Sequence, residues 1–164
     1  MLSQDRLKEL LEYDANTGDF TWIKITSRRV KVGDKACKKD NHGYFYISID
    51  KKTYGAHRLA WLYVHGKMPS KNIDHINGIR NDNRICNLRE ATQQENLYNI
   101  GLAKHNSSGY KGVHFHKGTG KWRAVASVNN YPKHIGLFKT ALEASLAYTN
   151  WCISNRGEFA RIGV

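Results

Sequence analysis

Residues 73–96 read IDHINGIRNDNRICNLREATQQEN, with five asparagines and a single Asp-His pair near the start. Hydrolysing a phosphodiester needs a base to activate water and a cation to stabilise charge on the phosphate and leaving oxygen. It also needs a scaffold that holds both in place. His75 qualifies as the base, because an unperturbed imidazole titrates near neutrality. Asp74 offers a hard carboxylate oxygen and Asn96 a hard amide oxygen. Adjacent strand residues point to opposite faces, so Asp74 and His75 need a twist or bulge to serve one site. Asn87, twelve residues after His75, could brace the loop by hydrogen bonds to its backbone. Each residue also has an ordinary reading: a lone His is more often a surface or core residue, and an Asp near a turn usually caps something. Turn chemistry accounts for the asparagines inside the loop. It does not account for Asn87 and Asn96, which lie where strand and helix signals begin.

The elements that would position these residues follow from pattern. SQDRLKELLEYD reads as a helix with Ser3 as N-cap and Leu7, Leu10 and Leu11 on one face. FTWIKI and GYFYISID read as strands, the second with Phe45, Ile47 and Ile49 alternating against Tyr44, Tyr46 and Ser48. AHRLAWLYVHG reads as a helix ended by Gly66. The Asn-rich stretch then reads as a strand (73–76), a loop (NGIRNDNR), a strand (ICNLREAT) and a helix (QQENLYNI). AKHNSSG, 103–109, is polar and small like a linker. Beyond it come three strand candidates. GVHFH sets Val113 and Phe115 against His114 and His116; KWRAVASV sets Trp122, Ala124, Ala126 and Val128 against Arg123, Val125 and Ser127; KHIGLF is the third. A capping box, Thr140 with Glu143, starts a helix with Ala144, Ala147, Tyr148 and Trp151 on one face. A sheet on one helix has one core face, so the face with His114, His116, Arg123 and Ser127 must meet solvent or ligand.

The string DHINGIRNDNRICNLREATQQEN resembles the HNH endonuclease motif, in the phage-type variety whose last histidine is replaced by asparagine. The resemblance puts the family's first His on His75, the preceding Asp on Asp74, the middle Asn on Asn87 and the terminal ligand on Asn96. It therefore implies catalytic roles for Asp74, His75, Asn87 and Asn96, with Asp74 and Asn96 as metal ligands. HRLAW and YDANTGDFTW also look like segments that precede this motif in phage proteins, so the likeness covers most of residues 1–100. It implies a ββα-metal module. With Asn in place of the third His, the oxygens suit a hard divalent ion, Mg²⁺ or Mn²⁺. Resembling enzymes with this variant include homing enzymes that nick one strand, so the strand count stays open.

The last third resembles the AP2 DNA-binding domain, from about Ser108 to Ile162, on Tyr110, Gly112, Val113, Lys121, Gly136, Phe138, Ala141, Ala144 and Tyr148. That family lays its sheet into the major groove. By matching position, Lys111, His114, His116, Lys121, Arg123, Val125, Ser127 and His134 would approach DNA. Several family arginines are histidines here, and neutral His lacks the bidentate fork of Arg.

Charge agrees with such a partner. The chain of 164 residues has 26 Lys and Arg against 14 Asp and Glu, a formal net charge of +12. A field this positive attracts polyanions and is screened by salt. A basic cluster at Lys24, Arg28, Arg29, Lys31, Lys35, Lys38 and Lys39 is opposed in sequence only by Asp34, and Arg28, Arg29 and Lys31 are its candidate DNA contacts. No apolar run approaches a membrane span. The N-terminus lacks a secretory core, and three scattered cysteines support neither a disulfide framework nor a zinc site.

The expected fold is α+β: a small β-rich N-terminal region with the HNH module (1–103), a linker (104–109), then a three-stranded antiparallel sheet packed on one helix (110–164). The expected function is metal-dependent cleavage of double-stranded DNA, homing-type and site-preferring, by a monomer. It would act in the cytoplasm of the host of a phage or mobile element, with no membrane or small-molecule partner. The rivals are a non-cleaving DNA-binding regulator that keeps a degenerate HNH fold, and an RNA-directed nuclease.

Overall fold

A computed structural model describes residues 2–103 and 105–161. Lys104 of the expected linker and Ile162, where the AP2 resemblance ends, lie outside the described residues. The chain divides into two compact units, Met1–Thr92 and Gln93–Val164. The boundary falls within the Asn-rich motif, between its second strand and its helix.

The first unit begins with α1 (Gln4–Leu10), whose N-cap Ser3 accepts a hydrogen bond from the Arg6 amide. Leu11 leaves the helix and starts β1 (Leu11–Tyr13), which pairs antiparallel with β2 (Phe20–Trp22). The helical spacing of Leu7, Leu10 and Leu11 thus spans two elements; all three are buried because helix and hairpin share one core. Strands β3 (Lys38–Lys39), β4 (Phe45–Ile49) and β5 (Lys52–Gly55) form an antiparallel sheet in sequence order. Ile47 and Ile49 face the core, as period-two alternation requires. Helix α2 (Ala56–His65) buries Ala56, Leu59, Ala60 and Leu62, and ends at Gly66 with φ of 77°. Strands β6 (Asn72–His75) and β7 (Leu88–Ala91) pair antiparallel, with a 3-10 turn at Ile85–Asn87 before β7.

The second unit begins with α3 (Gln93–Tyr98). Strands β8 (Val113–His116), β9 (Lys121–Val128) and β10 (Tyr131–Phe138) form an antiparallel sheet with β9 central. Helix α4 (Ala141–Arg156) starts in the full capping box of Thr140 and Glu143. Its buried stripe is Ala144, Tyr148 and Cys152, set against Val113, Ala124 and Ala126. Trp151 is only partly buried, so Cys152 completes the stripe one residue later than spacing predicts. Phe115 departs from expectation. It is half-exposed and packs edge-on against Trp122 at 5.2 Å, because β8 is an edge strand and only its first residue, Val113, is buried. Gly112 has φ of 71°, and a Cβ there would lie 2.2 Å from the Tyr148 ring, so only glycine lets β8 start beneath that ring.

Candidate active site

The amide-rich loop between β6 and β7 is held by its own side chains. Asn87, buried at the foot of β7, accepts from the Asn77 amide (3.0 Å) and donates to Asn77 Oδ1 (3.1 Å) and the Asp82 carbonyl (2.9 Å). Asn77 in turn donates to Asp82 Oδ2 (2.7 Å), and its Oδ1 accepts from the Ile79 amide (2.8 Å). Arg84 closes on Asp82 at 2.6 Å and holds that carboxyl down at about 2. Asn77 and Asn87 pair with nearby backbone, as short amides in turns do. Asn87 therefore sits as a brace of the loop.

His75 ends β6 and is 5% exposed. Its Nε2 lies 3.3 Å from Asn83 Oδ1, and its ring stands edge-on to His57 at 5.5 Å between centroids, with Tyr44 at 6.0 Å. Burial pushes the His75 pKa down, so the ring favours its neutral, proton-accepting form. His57, in the first turn of α2, is pushed down to about 4, by burial first and by His75 second. Its Nδ1 is buried without a hydrogen-bond partner among the described residues. Arg80 stacks over Tyr44 at 5.2 Å and donates to the His42 carbonyl, which sets a cation beside the cluster of Tyr44, His57 and His75 rings.

Asp74 lies elsewhere. The β6–β7 ladder pairs Asp74 with Arg89 and His75 with Leu88 without a register shift, so Asp74 and His75 point to opposite faces of the hairpin. No bulge brings them together. Asp74, 4% exposed, accepts from Arg89 Nε (2.9 Å) and Nη2 (2.8 Å). Among the described residues no group of three or more His, Cys, Asp or Glu is placed to hold a metal ion. The oxygen chemistry of Asp74 suits a hard cation, and Arg89 competes with such an ion for Oδ2. Asn96 lies on α3 in the second unit.

Sequence reasoning passed over Asn83, His57, Arg89, Arg80 and Tyr13. The Tyr13 hydroxyl donates to the Asn83 carbonyl at 2.8 Å, and a Cβ on Gly18 would meet the Arg84 nitrogen at 2.5 Å. The YDANTG turn thus clasps the motif loop. Nothing in the sequence distinguishes Asn83 from its neighbour Asn81; HRLAW was visible as a segment, without a role for His57.

In the second unit, His114, Arg123, Ser127 and His134 are exposed on the open sheet face, with His114 paired to Arg123 and His134 to Val125. A hollow of about 400 Å³ on that face is lined by His116, Arg123, Val125, Pro132, His134 and Leu137. Lys121 is exposed opposite His116. Lys111 is turned inward instead: its Nζ donates to the carbonyls of Tyr98 (2.7 Å) and Ile100 (2.5 Å), and burial lowers its pKa to about 8. In the basic cluster of the first unit, Lys35 pairs with Asp19 and Lys24 with Glu9, so Asp34 is not its sole opposition. Arg28, Arg29 and Lys31 are exposed.

The family model described as HNH endonuclease matches residues 54–98. That segment runs from β5 through α2, the His75 hairpin and α3, and it makes nuclease activity the chemistry to test. The chain is also 35% identical over 72 residues to Protein 3.8 of Escherichia phage T7, which is 43% of this chain and 60% of that protein. The chain thus spans less than two thirds of that relative's length. No solved structure matches. No helix among the described residues is long and apolar enough to cross a membrane.

Proposed function

We propose that the protein is a DNA endonuclease of phage or mobile-element type, homing-like and site-preferring, in which His75 activates water. The observation that supports this most is a buried imidazole, kept neutral and held by a braced amide loop, inside the segment that matches HNH endonucleases. His75 takes the proton of the attacking water. Asn87 keeps the loop in register, and Arg80 over the Tyr44 ring attracts the phosphate. Asp74, the carboxylate of the motif, would hold a divalent cation, Mg²⁺ or Mn²⁺, whose chemistry would be to stabilise charge on the phosphate and leaving oxygen. The open face of β8–β10, with Arg123 and the histidines, supplies AP2-like contacts to duplex DNA; Lys121 and the exposed Arg28, Arg29 and Lys31 add phosphate attraction.

The regulator reading has one observation of its own: Asp74 is neutralised by Arg89, as a carboxylate retained for structure would be. Incubating the full chain with supercoiled plasmid, with Mg²⁺ or Mn²⁺ and then with EDTA, separates the two. Nicked or linear product that disappears with EDTA supports the nuclease. Unchanged plasmid with retained duplex binding supports the regulator.

A further inference from the structure

Asn83 is 1% exposed, and its side chain meets one titratable partner, the His75 ring. The contacting atom is Oδ1, which only accepts. A hydrogen bond at 3.3 Å therefore needs the hydrogen on His75 Nε2. That leaves the lone pair on Nδ1. The amide does not drift, because its backbone is pinned twice: by the buried Tyr13 hydroxyl at 2.8 Å, and by the glycine at position 18, whose missing side chain lets the β1–β2 turn close on 83–84. Asn83 Nδ2 has no hydrogen-bond partner among the described residues, so the contact to His75 is the one hydrogen bond that the side-chain amide makes among them. Tyr13 and Gly18 both lie outside the residues 54–98 that match the HNH family model.

We infer that Asn83 is a positioning residue that fixes His75 as the Nε2–H tautomer, with the N-terminal hairpin acting through Tyr13 as its support. The inference deepens the proposed reaction and rests on His75 being its base. When water is activated, its proton goes to Nδ1 and the Nε2–H stays on Asn83 Oδ1. The amide then also stabilises the imidazolium. An imidazole in the wrong tautomer presents a hydrogen where a lone pair is needed, and such errors cost other histidine bases orders of magnitude in rate.

The test is ¹⁵N-resolved NMR of the histidine rings in the full chain at neutral pH, run beside plasmid cleavage. In the wild type, His75 shows the Nε2–H tautomer. Asn83→Asp keeps the acceptor and adds a negative charge, so the hydrogen stays on His75 Nε2 whether the ring is neutral or protonated. Asn83→Ala gives a mixture, with cleavage down roughly 10-fold or more. Tyr13→Phe leaves the amide in place and frees its backbone, so it shifts the tautomer in the same direction even if Asn83→Ala does not fold. A wild-type Nδ1–H tautomer, or an Asn83→Ala ring identical to wild type, overturns the inference. A fixed Nε2–H tautomer in a protein that leaves plasmid uncut defeats the nuclease reading and leaves the role of Asn83 intact.

Discussion

At the residue scale, burial decides what each candidate group does. Asp74 and Arg89 form a buried pair at 2.8 Å, and breaking such a pair by removing one member typically costs about 3–5 kcal/mol. Asp74→Ala should therefore lower the thermal midpoint as well as abolish cleavage. Asp74→Ala combined with Arg89→Met should recover stability and not activity. A double variant that cuts would remove Asp74 from the chemistry. His57 makes a second prediction. Its pKa falls from an ordinary 6.5 in the unfolded chain to about 4 in the fold, so the unfolded state binds the extra proton first. The stability from keeping His57 neutral is full above pH 6.5 and is lost as pH falls towards about 4. His57→Gln should flatten that loss, read as the thermal midpoint across the window; a variant with the wild-type slope would show that His57 titrates normally.

At the element scale, α3 is fastened within the second unit. The Arg156 guanidinium lies 4.1 Å over Tyr98, Lys111 takes the Tyr98 and Ile100 carbonyls, Gln94 donates to Asn129, and Arg161 donates to the Asn99 carbonyl. A helix of six residues has little stability alone, so these partners hold it. Arg156→Ala should speed amide exchange in α3 more than in β9; equal protection would mean the helix is held by other means. Most element types were legible because they rest on local signals: the Ser3 cap, the Thr140–Glu143 box, Gly66, and alternation in β4 and β9. The losses came where tertiary structure overrides period. Leu11 fits a helix and a strand equally, and only pairing with Trp22 decides. Phe115 fits a core pattern that an edge strand cannot fill. In the site, the motif pointed to His75, while its partners Asn83 and His57 come from loop geometry and packing that spacing does not encode.

At the scale of the whole molecule, two basic units share one chain with a net charge of +12. Each phosphate contact adds roughly 0.9 to the slope of log affinity against log salt on B-DNA. With Lys111 turned inward, the open sheet face and its flanks offer Lys117, Lys121, Arg123 and Lys133. If about three of these reach phosphates, replacing all four by Gln should make the slope shallower by roughly three units. An unchanged slope would mean that this face does not hold DNA. The central claim, that His75 is the base of a DNA-cutting site, is tested most directly by comparing wild type with His75→Ala on supercoiled plasmid at saturating Mg²⁺, with duplex affinity measured alongside. The account predicts nicked or linear product from the wild type, a rate lower by about 10²–10⁴-fold in the variant, and nearly equal affinity. Cleavage by His75→Ala at the wild-type rate would contradict it.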